Sequence, residues 1–140
     1  MRVLVDTSVW SAALRRARAA TAPALIVREL EELIREGRVV IMGPIRQELL
    51  SGIKAARQFE TLRDHLRAFP DLELATADFE EAAHFLNRCR SKGIQGSNTD
   101  FLMCAVASRH DLAIFTTDKD FHGFGRFLPF KLHDVRPSNN

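Results

Sequence analysis

The sequence predicts an α/β fold with a mostly parallel central sheet of four to five strands and helices on both faces. Three observations lead there. Short β-branched runs alternate with longer stretches of helical periodicity, the pattern of βαβ units. Glycine and proline punctuate those stretches: Gly37 closes LIVRELEELIRE, Gly43-Pro44 opens the next helix and Gly52 ends it. No repeat, low-complexity tract or linker divides the 140 residues, a length that suits one domain with a sizeable core. Residues 1–136 are therefore assigned to a single domain and 137–140 to a disordered tail.

The elements follow in order. The opening strand is RVLV (2–5), followed by helices over 8–18 and 23–36. VVIM (39–42) is the second strand, with helices over 44–51 and 54–69 behind it. LELA (72–75) reads as a third strand, then helices over 78–91 and 99–110. AIFT (113–116) is the next strand, and FKLH (130–133) a weaker last one. Every residue from 101 to 107 is apolar, so the helix behind Asp100 is expected to be buried almost all round.

Composition bounds the class. The chain is 46% hydrophobic and 27% charged, and no apolar run reaches the length of a membrane span. The N-terminus enters a strand directly rather than a basic then apolar leader, so a cytoplasmic protein is expected. Cys89 and Cys104 lie in helical segments without metal-knuckle spacing, and are read as reduced thiols. The five histidines show no zinc spacing and are taken as surface or packing residues. Net charge is only +2, but sixteen Arg stand against four Lys. Arg15, Arg16 and Arg18 cluster after the first strand, either as a solvated helix face or as phosphate contacts.

The chemistry is in the acids. Ligands of an open parallel sheet bind beyond the carboxyl ends of its strands. Asp6 follows VLV; Asp118 follows AIFTT, with Asp120 two residues on. Glu48 is on the helix after VVIM, and Asp100 is in the first turn of the buried helix. Singly, each has a plain structural explanation as a cap, turn or surface acid. Jointly they do not, because two unit charges 4 Å apart repel by about 4 kcal/mol at an effective dielectric near 20, against about 1 kcal/mol for a cap. Convergence would call for a positive group among them or for protonation of some; a hard divalent cation is the economical answer, and all-oxygen ligation selects Mg²⁺ or Mn²⁺.

These residues resemble a known family. VLVDTSVW, the helical Glu48-Leu49, TDFLMCAVA and FTTDKDF are similar, in that order and over nearly the whole chain, to the PIN domain, and most to the VapC-type ribonuclease toxins. Phe101 and Leu102 depart from the smaller residues usual after the third acid. The resemblance implies a PIN-like nuclease domain, a metal-dependent endoribonuclease acting on single-stranded or structured RNA. The catalytic set it implies is Asp6, Glu48, Asp100 and Asp118, with Asp6, Asp100 and Asp118 as metal ligands. Thr7, Ser8 and Thr116 would orient the acids, and Asp120 would be accessory. Expected partners are RNA, a small antitoxin protein and a second copy in a homodimer, with no membrane. The helical faces of SVWSAAL and PALIVRELEELI serve as core or as a groove for an antitoxin helix.

The rival readings are few. A haloacid-dehalogenase-type phosphatase needs a second Asp where Ser8 stands, and no GxGxxG or P-loop follows any strand. The alternative of another class is a PIN-like nucleic-acid or protein-binding module without turnover.

Overall fold

The computed structural model describes residues 1–19 and 24–137, the side chains of 15–19 excepted. The side chains of Arg15, Arg16 and Arg18 and the tail residues 138–140 thus lie outside the described residues. The elements run β1 (Val3–Val5), α1 (Thr7–Ala19), α2 (Ala24–Arg35), β2 (Val39–Val40), α3 (Gly43–Leu50), α4 (Ala56–Leu66), α5 (Thr76–Ser91), α6 (Asn98–Arg109), β3 (Ala113–Phe115), α7 (Asp120–Phe124) and β4 (Lys131–Leu132).

The four strands form one sheet in the order β2-β1-β3-β4, and every pairing is parallel. The connections from β1 to β2 and from β2 to β3 step in opposite directions across it, and right-handed crossovers then place helices on both faces. Sheets covered on both sides need strands that are apolar throughout, and β1 and β3 are buried at every position. The register pairs Val5 with Phe115 and Val3 with Val39, so the carboxyl ends of β1 and β3 finish side by side.

The core is rich in phenylalanine: Phe85, Phe101, Phe115, Phe121 and Phe124 are among its largest fully buried side chains, each worth about 1.5–3 kcal/mol of transfer free energy. α6 is buried from Phe101 to Ala107, as its unbroken apolar run predicts. It lies along α5, and the pair is fastened by buried Asp78, which accepts from Arg109 Nε at 2.8 Å and meets His110 Nε2 at 3.1 Å. A second buried acid, Glu29 on α2, meets His133 Nε2 at 2.6 Å and accepts from Arg136 Nε at 3.0 Å, pinning the segment after β4. Two of the five histidines are therefore partners of buried carboxylates rather than plain packing. Cys89 and Cys104 are free and buried, and burial pushes both thiols up in pKa.

Three expectations need correction. LELA is not a strand: Ile41 makes a single bridge to Asp71, and Leu72 N–H donates to the Ile41 carbonyl at 2.9 Å. Leu72 and Leu74 turn partly inward while Glu73 and Ala75 face water, so the alternation is real. However, β2 stops at Val40 and leaves no ladder to extend. The FKLH strand shortens to Lys131–Leu132. Helix α7 was not expected, because five residues are too few for a period to register; Phe121 and Phe124, one turn apart and fully buried, hold it.

Candidate active site

The register of β1 and β3 builds the centre of the site. Asp6 comes one residue after β1, and its N–H donates to the Phe115 carbonyl at 2.9 Å. The next residue of that neighbouring chain segment, Thr116, donates its hydroxyl to Asp6 Oδ2 at 2.8 Å. Ser8 Oγ donates to the same oxygen at 2.9 Å, and Thr7 N–H to Oδ1 at 2.8 Å. A helix cap accepts from the second or third amide of its helix, whereas Asp6 takes the first, so its carboxylate is held across the strand end rather than folded over α1. It is only 8% exposed, and three donors compensate that burial.

The hydroxyls extend the network outward. Thr7 Oγ1 donates to Glu48 Oε2 at 2.7 Å, which ties the exposed acid of α3 to the start of α1. Thr117 N–H donates to Ser8 Oγ at 3.1 Å, and Asp118 N–H to Thr116 Oγ1 at 3.0 Å. Asp118 Oδ1 in turn accepts from Asp120 N–H, at 2.9 Å, at the start of α7. Asp120 thus enters this network through its backbone amide.

Asp100 arrives from α6. A reciprocal capping box holds it: Ser97 Oγ accepts from Asp100 N–H at 3.1 Å, and Asp100 Oδ2 accepts from Ser97 N–H at 3.0 Å. Burial pushes its carboxyl above the usual range, and the negative charges of Asp6 and Asp118 push it further, against the two Ser97 bonds. The structure therefore brings Asp6, Glu48 and Asp118 together through Thr7, Ser8 and Thr116, and sets Asp100 in the field of Asp6 and Asp118.

Two residues here were not singled out from sequence. For Ser97 the signal is Asp100 three residues on, the spacing of a capping box. Gly96 has no signal beyond being glycine. A Cβ there would stand 2.6 Å from Phe124 Cζ and 3.0 Å from Phe101 Cε2, so only glycine lets this loop lie on α7.

Among the described residues, no three His, Cys, Asp or Glu side chains form a ready metal cage. The donor set nevertheless fits a hard divalent cation. It is all carboxylate and hydroxyl oxygen, the donor chemistry that such an ion takes. Mg²⁺ keeps several waters and needs few direct carboxylates, so a closed cage is not required.

A family model described as the PIN domain matches residues 3–126. This chain belongs to the PIN domain family. Similar folds occur in FitAcB from Neisseria gonorrhoeae, with a TM-score of 0.74 and 20% identity over 95% of this chain and 97% of that one. VapBC2 from Rickettsia felis, bound to a DNA fragment from its promoter, gives 0.76 and 19% over 95% and 98%. DNA-bound VapBC from Salmonella typhimurium gives 0.72 and 16% over 97% and 99%. No curated protein sequence matches the chain. Among its described residues, no helix is long and apolar enough to cross a membrane.

Proposed function

We propose that this PIN domain is a metal-dependent endoribonuclease and the toxin of a toxin–antitoxin pair, with RNA as substrate, a small antitoxin as inhibitor and a second copy as dimer partner. The observation that carries the reading is the network in which hydroxyls of Thr7, Ser8 and Thr116 bind the carboxylates of Asp6 and Glu48, with Asp100 in the field of Asp6 and Asp118. Carboxylates drawn into one network repel, and binding a positive ion or taking up a proton relieves that repulsion.

In this reading Asp6, Asp100 and Asp118 hold Mg²⁺ or Mn²⁺, and Glu48 accepts a proton from, or orients, the attacking water. The metal, when bound, supplies an acidified water and neutralises charge at the phosphate. The chain's own residues do the rest. Thr116 and Ser8 fix the Asp6 rotamer, Thr7 holds Glu48 toward Asp6, and the Ser97 cap fixes Asp100. Asp120 is accessory, its amide steadying Asp118.

The antitoxin reading draws support from an apolar groove of about 270 Å³ between α1, α2, α3 and α4, lined by Trp10, Leu14, Leu30, Ile34, Leu49 and Leu66. An apolar groove between helices is the kind of surface that takes the apolar face of a partner helix. The similar folds of FitAcB and the two VapBC proteins, and of a toxin–antitoxin complex from Klebsiella pneumoniae, support the same reading.

The test uses purified protein. With millimolar Mg²⁺ or Mn²⁺ the parent is expected to cut RNA and to melt at a higher temperature than without metal, by binding to the native state. Asp6→Asn and Asp100→Asn are expected to fold but lose cleavage by about 100-fold or more, beyond the usual loss for outer-sphere groups. A parent that neither cuts RNA nor gains heat stability from the metal would be a binding module instead.

A further inference from the structure

We propose that Lys92 and Arg126 at the Phe127 ring, with Arg88 at the Phe127 carbonyl, form a second contact site for the substrate, a cationic ledge that holds phosphodiester groups of single-stranded RNA on the segments that flank Asp100 and Asp118. The proposal rests on the nuclease reading above.

The Arg126 guanidinium carbon stands 5.4 Å from the Phe127 ring centroid and the Lys92 ammonium 6.0 Å. Arg88 Nη1 donates to the Phe127 carbonyl at 3.4 Å, and its guanidinium lies 5.4 Å over Phe85. All three cations are exposed. Arg38, Arg46, Arg63, Arg109 and Arg136 each meet a carboxylate, whereas among the described residues Arg88, Lys92 and Arg126 meet none.

The helix dipole explains why cations sit on the last turns of α5. It does not explain Arg126, on a different segment, brought to the same ring as Lys92. Nor does it favour Arg88 and Lys92 four residues apart, where like charges repel. Exposed cations held on an aromatic ring and meeting no carboxylate are a surface on which a single strand can neutralise its phosphates.

The place is right for a substrate. Lys92 ends α5 directly before the loop that leads through Ser97 to Asp100. Arg126 and Phe127 follow α7, whose first amide holds Asp118. Gly96 of that loop packs on Phe124 of α7, so the two segments are joined beside the site. The acids themselves repel phosphate, and a strand needs cations elsewhere to be held across them.

The experiment uses full-length protein carrying Asp6→Asn, so that the strand is bound and not cut, and a labelled twelve-nucleotide single-stranded RNA. Binding is measured from about 50 to 200 mM salt with and without the added triple change Arg88→Ala, Lys92→Ala and Arg126→Ala. The ledge predicts at least about tenfold weaker binding at low salt and a log–log salt slope shallower by about 2, from three contacts at roughly 0.7 each. With Asp6 intact, KM for the same RNA rises. Should the triple variant fail to fold, Arg126→Ala alone, on an exposed residue outside the helices, must still lower the slope by roughly 0.7. If the parent binds and cuts RNA but the variants keep its affinity and slope, the ledge is refuted and the nuclease reading stands. If the parent with Asp6 intact cuts no RNA, the nuclease reading fails first and the ledge falls with it.

Discussion

Thr116 is the residue on which the candidate site turns. Its hydroxyl donates to Asp6 Oδ2 and accepts from Asp118 N–H, so one oxygen sets both acids. Valine has nearly its shape and no hydroxyl. Thr116→Val is therefore expected to lower RNA cleavage by about 10–100-fold, the usual cost of losing a group that orients a ligand. Thr116→Ser restores the hydroxyl and should recover most of that rate, a rescue that a packing role would not produce. Thr7 performs the same service for Glu48 across 41 residues of sequence.

Among the elements, the loop ahead of α6 and helix α7 have to be considered as a pair, because one brings Asp100 and the other steadies Asp118. Their contact is Gly96 against Phe124, and Phe124 is itself locked against Phe101 at 4.8 Å and Phe121 at 5.2 Å between ring centroids. Gly96→Ala must push that ring or lift the loop. It is expected to cost about 1–3 kcal/mol in urea unfolding, the usual range for overpacking, and to reduce cleavage more than a remote change of equal stability. Adding Phe124→Leu opens space and should return part of the stability, so the two effects will not add.

Over the whole molecule, stability depends on three acids far from the site. Asp78 and Glu29 are buried, and despite the desolvation that opposes ionisation, the bonds of Asp78 to the Ala75 amide, Arg109 and His110, and of Glu29 to His133 and Arg136, hold both carboxyls below the usual range. Arg136 also holds Glu36 down to about 2 from 4.5. A carboxyl lowered in the folded state contributes stability above its unfolded pKa and loses it as pH falls through the folded value. The melting temperature should accordingly hold from neutral pH to about 4.5 and fall steeply from there toward about 2. Asp78→Asn and Glu29→Gln should each cost about 2 kcal/mol at pH 7, as expected for hydrogen bonds to a charged group, and flatten the acid limb of that profile.

The types of most elements, the apolar sweep of α6 and the positions of the acids were legible because they are local. A period, a breaker or a strand end is written in adjacent residues. LELA misled for the same reason: its alternation is genuine, but a strand also needs a neighbour, and β2 ends before it. Sequence alone determined that Asp6, Asp100 and Asp118 lie at strand ends and helix starts and Glu48 on the helix after the second strand, with small hydroxyls beside the first and last acids. Only the tertiary structure decided that Ser8 and Thr116 meet over one carboxylate, since that depends on Val5 pairing with Phe115 rather than a neighbour. It also decided that Arg126 shares a ring with Lys92. Register and packing are set by the sum of distant contacts, and no short window of sequence contains that sum.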